Sequence, residues 1–347
     1  MDVPERTERV RRGTTEVLTV EELGRLFETN DRPRAYIGFE PSGRLTIGHL
    51  VCIRKMLDLQ EAGCELTVFL ADWHAWINDK LGGDLERIAG AGRYMQATFE
   101  AFGLDPARTR YRWARELVGR SEYWSRVVQV AKATSLARTK RAMTVLGRSE
   151  EEEQLDTAKL FYPSMQVADI FELPVEIAYA GVDQRRAHVL AREVAHRSGW
   201  PVPIAVHTPL ISSLKGGGRM DATTHSVERK MSKSDPSSAI ALPASAGEIE
   251  ERIRGAFCSA KEIEGNPIVE IARHIVFPWT GTLEVERPAR HGGPVTYATA
   301  EEFLGAWRSG GLHPADLKAS VARALVRILE PRGPALEIAV RAFSAAS

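Results

Sequence analysis

Between Arg34 and about His207, short apolar runs alternate with amphipathic stretches, which restricts this part of the chain to a parallel sheet covered by helices. Strands are expected at Ala35–Phe39, Leu66–Ala71, Val175–Tyr179 and Pro203–Val206. A helix starting near Gly48 would carry Leu50, Ile53, Met56 and Leu57 on one face, with Gly63 placed to stop it. The expected class is α/β, with a doubly wound parallel sheet. After residues 215–235, rich in Gly, Ser, Thr and Lys, the pattern changes. Ser245 followed by Glu248 reads as a capping box, and Ile249, Ile253, Ala256 and Phe257 fall on one helical stripe. Helical periodicity continues over Pro267–Phe277, Ala300–Trp307 and Pro314–Leu329. The division expected is a partly helical leader (1–33), an α/β domain with inserted basic helices (34–229), a polar loop and linker (230–245), and a mainly helical domain (246–347).

A chain of 347 residues with 44% apolar and 27% charged side chains has enough material for two or three packed units of ordinary globular kind. Its net charge of zero excludes a protein that coats nucleic acid by bulk electrostatics, so any such contact must come from local basic patches. Cys52, Cys64 and Cys258 lack the paired spacings of zinc sites or disulfide frameworks, which points to a reducing compartment and no protein-held metal. The opening MDVPERTERVRRG has no apolar core of a signal peptide, and no stretch approaches the ~20 apolar residues that span a bilayer. The expected location is the cytoplasm, away from membranes.

The segment from Tyr36 to His49, YIGFEPSGRLTIGH, runs from a buried strand through a Gly/Pro turn into a helix. Backbone N–H groups and the positive end of the helix dipole would meet a nucleotide at the carboxyl edge of the sheet. Gly38 and Gly48 leave room for a nucleotide to approach the backbone, and His49 can donate to an α-phosphate oxygen. Far away in sequence stands Lys230-Met231-Ser232-Lys233-Ser234, whose ammonium groups and hydroxyls suit a triphosphate and its departing pyrophosphate. A solvated lysine pair is the common alternative for such a run; the co-occurrence with a GH-containing strand-turn-helix argues against it.

Tyr162, Gln166 and Asp169 follow one another at spacings of four and three, so one helical face carries all of them, bounded by Phe161, Met165, Val167 and Ile170. Polar groups converging from an apolar segment suggest a pocket. Asp169 can accept a hydrogen bond from a phenol, while Tyr162 and Gln166 can hold an α-amino group. A structural hydrogen-bond network is the competing reading.

Thr46–His49 resembles the HIGH motif of class I aminoacyl-tRNA synthetases, with Thr46 in place of the first histidine, and Lys230–Ser234 matches their KMSKS motif letter for letter. The segment Tyr162–Asp169 is similar to the YPxxQxxD signature of tyrosyl-tRNA synthetases of archaeal and eukaryotic type, and Gly181–Arg186 to their GxDQRK element. The resemblance covers nearly the whole chain and implies a Rossmann-like catalytic domain followed by a helical anticodon-binding domain. It implies that Tyr36 and Asp169 bind the substrate hydroxyl, that Tyr162, Gln166 and Gln184 bind the amino end, that His74 lies near the ring, and that Asp183 reaches the ribose of ATP. Thr46, His49, Lys230 and Lys233 would carry catalysis, with Met231, Ser232 and Ser234 completing the ATP loop. Arg141 and Arg185 would meet the acceptor stem of tRNA(Tyr), and His291, His313 and Asp316 the first anticodon base.

The implied reaction joins L-tyrosine to ATP with Mg²⁺, then transfers tyrosine to tRNA, and the implied assembly is a homodimer. The rivals are a tryptophanyl-tRNA synthetase, another nucleotidyltransferase of the HIGH superfamily, and a non-catalytic RNA-binding paralogue. Asp169 speaks against the first, because a buried carboxylate is costly beside an apolar indole. Both KMSKS lysines speak against the last.

Overall fold

In the computed structural model, residues 1–144, 156–216, 231 and 235–345 are described. They form two compact units: one of Met1–Gly43, Lys55–Pro209 and the chain end from Arg341, the other of Arg44–Arg54 and Leu210–Val340.

The first unit is built on a six-stranded sheet of order β1-β6-β5-β2-β3-β4, where β1 is Glu16–Leu18, β2 Arg34–Phe39, β3 Glu65–Leu70, β4 Thr109–Trp113, β5 Ile177–Gly181 and β6 Ile204–Thr208. All neighbours are parallel except β1, which pairs antiparallel with β6 at the edge. The α/β, doubly wound expectation holds. The strands form because Ala35, Tyr36, Ile37, Leu66, Val68, Phe69, Ile177, Ala178, Tyr179 and Val206 all bury their side chains, the near-continuous apolar pattern of a sheet covered on both faces. Chain order reverses between β5 and β2, so the crevice beyond their carboxyl ends is the place where this architecture takes a ligand. Glu40 follows β2 there, and Asp183 and Gln184 follow β5.

Two strands escaped the sequence reading: β1 is three residues long, and β4 alternates Arg, Tyr and Trp in place of an apolar run. The leader is part of this unit. Its helices Val3–Arg11 and Val20–Thr29 both open on complete capping boxes, and buried Arg6 donates to the carbonyls of Ala62 (2.7 Å) and Asp31 (2.9 Å).

In the second unit, helix Ala246–Gly255 packs along Pro314–Leu329 through Ile249, Ile253, Leu317, Val321 and Leu325. Ser245 caps the first of these by accepting from the Glu248 amide (3.2 Å), but the helix ends at Gly255. Phe257 therefore leaves the expected stripe, and its ring instead covers Gly216, where a Cβ would come within 2.5 Å of it. A hairpin of β7 (Leu283–Val285) and β8 (Val295–Tyr297) interrupts the helices; strands this short leave no periodicity to detect. Among the described residues no helix is long and apolar enough to cross a membrane.

Candidate functional site

Helix Ala158–Glu172 presents Tyr162, Gln166 and Asp169 on one face, as their spacing requires. Asp169, 1% exposed, accepts a hydrogen bond at Oδ1 from the Tyr123 hydroxyl (2.8 Å). Its Oδ2 lies 3.0 Å from His74 Nε2, yet neither ring nitrogen of this buried histidine makes an aligned hydrogen bond. Burial works against a charged His74, but the carboxylates of Asp169, Glu40 and Asp72 together outweigh it and raise the pKa. The His74 ring stands edge-on to Tyr162 (4.9 Å between centroids) and to Phe69 (6.2 Å). Burial, then the charge of Asp169, pushes the Tyr36 phenol well above its ordinary pKa, and burial does the same for Tyr123. These phenols stay neutral and can donate. Among the described residues the Tyr36 hydroxyl has no hydrogen-bond partner.

Gly38 explains how Tyr36 fits. Both point to the same face of β2, two residues apart, and a Cβ on Gly38 would come 2.6 Å from the Tyr36 hydroxyl. The missing side chain makes room for a phenol, a different reason for glycine than the nucleotide approach expected from sequence.

Tyr162 donates to Glu40, which also accepts from the Asn78 amide (2.6 Å) and has Lys80 Nζ at 3.9 Å. With its proton committed to Glu40, the Tyr162 oxygen is left as an acceptor. Gln166 donates to Gln184 (2.8 Å), and both line a small pocket with Pro163 and Asp183. Tyr123 and Glu40 were missed by the sequence reading. Glu40 lies inside the quoted strand-turn-helix segment, whereas nothing in the pattern of helix Ser121–Lys132 marks Tyr123.

In the second unit, the Thr46 amide donates to His49 Nδ1 (3.1 Å), and Thr46 Oγ1 lies 3.1 Å from the same nitrogen. The Thr46 carbonyl also lies 3.2 Å from Nδ1, so amide, hydroxyl and carbonyl of one residue all meet the same ring nitrogen. The hydroxyl of Thr46 thus supports the imidazole. Thr46 bridges Ala241, and Ile47 donates to the Ile240 carbonyl (2.9 Å). A methyl on Gly48 would lie 3.8 Å from the Met231 sulfur, so the middle of the KMSKS string rests beside the HIGH-like turn. Lys230, Ser232, Lys233 and Ser234 lie outside the described residues. Lys215 pairs with Asp235 (2.7 Å); that hydrogen bond, followed by Ser237, lowers the Asp235 pKa to about 2.

The basic residues divide. Arg126 is committed to Glu172 (3.2 Å) and the Trp200 ring, and Arg138 to Glu193 through both terminal nitrogens. Arg141 is exposed on helix Leu136–Thr144, and exposed Arg185 is held by Glu16 (2.5 Å). Glu16 also faces His207 Nδ1 (2.9 Å), whose other nitrogen meets His188 (3.0 Å).

Arg290–Gly293, with His291, occupies the connection between β7 and β8. Arg287, also missed, donates to the carbonyls of Gly293 (2.7 Å) and Gly311 (2.7 Å), tying that connection to the segment before His313. His313 caps helix Pro314–Leu329 by accepting from the Ala315 amide (3.2 Å), which leaves Asp316 with no capping duty. Among the described residues, the Asp316 carboxylate accepts no hydrogen bond.

Comparison with known proteins decides among the rivals. The family model of class I tRNA synthetases for tryptophan and tyrosine matches residues 28–330. The tyrosine–tRNA ligase of Aeropyrum pernix is 48% identical over 343 residues, covering 97% of this chain and 94% of that protein. The chain belongs to the class I tyrosyl-tRNA synthetases. The crystal structure of the Aeropyrum pernix tyrosyl-tRNA synthetase superimposes with a TM-score of 0.88 at 44% identity, covering 99% of both chains. That of the Pyrococcus horikoshii enzyme complexed with L-tyrosine gives 0.89 at 40% identity, covering 99% of this chain and 100% of that one. The chain is a tyrosine–tRNA ligase of archaeal and eukaryotic type: it activates tyrosine with ATP and transfers it to tRNA.

Proposed function

We propose that the tyrosine hydroxyl is read by Tyr36 and Asp169, with His74 beside the ring, and that Tyr123 orients Asp169 from behind. The observation that carries this reading is a buried carboxylate held by Tyr123 next to a Tyr36 hydroxyl that has no described partner. An indole N–H can donate but accepts nothing, so it would leave the Tyr36 hydroxyl without an acceptor, whereas a phenol donates to one group and accepts from the other. Tyr162, Gln166 and Gln184 hold the amino end, with Glu40 supplying the negative charge that favours an ammonium. Asp169→Asn should weaken tyrosine binding by about 1.5–3 kcal/mol, the usual worth of a hydrogen bond to a charged group. Equilibrium dialysis tests this, and unchanged affinity would overturn the assignment.

Toward ATP the roles are Gly48 for the adenine, His49 for the α-phosphate, Asp183 for the ribose, and Lys230, Ser232, Lys233 and Ser234 for the leaving pyrophosphate. Gly38 joins this set only if the nucleotide reading of the strand is kept, and its packing against Tyr36 favours the tyrosine pocket. The tyrosine carboxylate attacks the α-phosphorus, the bond to the pyrophosphate oxygen breaks, and the adenylate then acylates the terminal adenosine. Mg²⁺ enters on the phosphates of ATP as part of the substrate.

For the tRNA, Arg141 and Arg185 face the acceptor stem, while His291, His313 and Asp316 take the first anticodon base. The bridge of Arg287 between their two segments supports the latter. The domain roles follow: residues 34–229 for catalysis and 246–347 for the anticodon. A homodimer would cover Trp124, Val128 and Phe161, which are 37%, 64% and 47% exposed, with the Trp124 and Phe161 rings 6.2 Å apart. Three cysteines without the paired spacings of a disulfide framework fit a cytoplasmic enzyme.

A further inference from the structure

Glu270 stands on helix Pro267–Ile271 with its carboxylate largely buried and its pKa raised by that burial. Its Oε2 accepts from the Ser212 amide (2.7 Å) and its Oε1 from the Ser212 hydroxyl (3.0 Å). The Gly265 amide also faces it, and among the described residues no cationic side chain pairs with it. A largely buried carboxylate held, among the described residues, by neutral dipoles is an expensive way to fix a backbone. Ser212 is not an ordinary turn residue. The segment around it is buried throughout, with Ile211 4%, Ser212 2%, Ser213 2% and Leu214 2% exposed. Each of its neighbours holds a different element: Ile211 accepts from the Met231 amide (3.1 Å), and Leu214 donates to Ser238 (2.9 Å) and accepts from Phe257 (2.7 Å).

We propose that Glu270 is a positioning residue for adenylate formation: by gripping Ser212 at two points it sets Ile211, and through Ile211 the height of Met231 beside Gly48. In sequence Lys230 precedes Met231 and Lys233 follows two residues on, so a grip that reaches Met231 acts on the segment that carries both lysines. The inference rests on the reading of Lys230–Ser234 as the pyrophosphate loop. It adds that a side chain on a helix of the C-terminal half, with no part in binding either substrate, governs that loop's rate contribution. A contiguous chain of backbone and side-chain contacts is the physical carrier.

The test is a double-mutant cycle on single-turnover adenylate formation. Glu270→Ala should slow the reaction about tenfold, the scale of a misplacement well under an ångström, while tyrosine affinity stays unchanged. Glu270→Gln should recover most of the rate, because Ser212 can turn its hydroxyl to accept from the amide and keep both contacts. Combined with Lys233→Ala, Glu270→Ala should cost much less than the product of the separate losses, since it acts through that lysine. Should Glu270→Ala fold poorly, Ser212→Ala removes one contact and carries the same cycle at smaller amplitude. Multiplicative losses would overturn the proposal, as would a full rate in Glu270→Ala. A Lys233→Ala enzyme with wild-type rate would instead overturn the loop reading beneath it.

Discussion

Replacing Gly38 with alanine tests whether the tyrosine pocket is built around the Tyr36 phenol. The added Cβ would lie 2.6 Å from the Tyr36 hydroxyl, 3.3 Å from Cζ and 3.9 Å from the Phe69 ring, whereas ordinary contact begins at 3.4 Å. The hydroxyl must therefore retreat by about 3.4 − 2.6 = 0.8 Å, in a ring 4% exposed and packed on Phe69 at 6.1 Å. Displacements near 1 Å cost up to ~100-fold where geometry is catalytic, so kcat/KM for tyrosine in pyrophosphate exchange should fall between ~10- and ~100-fold. Selectivity over phenylalanine should shrink with it, because the displaced hydroxyl no longer rewards the substrate's oxygen. In a Tyr36→Phe background the same alanine has no hydroxyl to displace, and its further effect should be small. An increased KM for ATP with tyrosine kinetics intact would refute this reasoning and restore Gly38 to the nucleotide site.

Burial, then His207, holds the His188 pKa down at about 3, so the ring is neutral in the fold and charges more readily when unfolded. Its contribution is complete above about pH 6.5 and lost as pH falls toward 3, by up to ~1.4 kcal/mol per pH unit; urea unfolding of wild type and His188→Gln should diverge less at pH 4 than at pH 7. Asp316→Ala should lower charging of tRNA by roughly 1–3 kcal/mol in transition-state terms and leave pyrophosphate exchange and Tm unchanged, since His313 does the capping. A lower Tm with normal charging would assign Asp316 to stability. Trp124→Glu should convert a dimer to monomers in sedimentation velocity, and an unchanged dimer would place the interface elsewhere.

Much of the fold was readable because it rests on burial. The runs at Ala35–Phe39 and Leu66–Ala71 are apolar on both faces, and only a covered parallel sheet asks for that. Helix Pro314–Leu329 was legible to the residue, since Pro314 and an apolar stripe mark its start and length. β1, β4 and the β7–β8 hairpin were not, because short strands stabilised by partners distant in sequence carry little local signal. For the site, spacing revealed Tyr162, Gln166 and Asp169. It could not reveal Tyr123, Arg287 or Glu270, whose importance lies wholly in which distant group they touch: Asp169, Gly311 and Ser212. On the basic helices, Arg126 and Arg138 are spent on Glu172 and Glu193, pairings that sequence does not reveal.

The central claim is that the buried cluster of Tyr36, Tyr123, His74 and Asp169 selects a phenol, and amino-acid-dependent ATP–pyrophosphate exchange tests it most directly. Measured with each proteinogenic amino acid in turn, exchange should be rapid with tyrosine alone. Phenylalanine should fail because it brings no hydroxyl to the buried Tyr36 phenol and Asp169 carboxylate, and tryptophan because its indole offers them no matching oxygen. Exchange with phenylalanine or tryptophan at the rate seen with tyrosine would contradict the account.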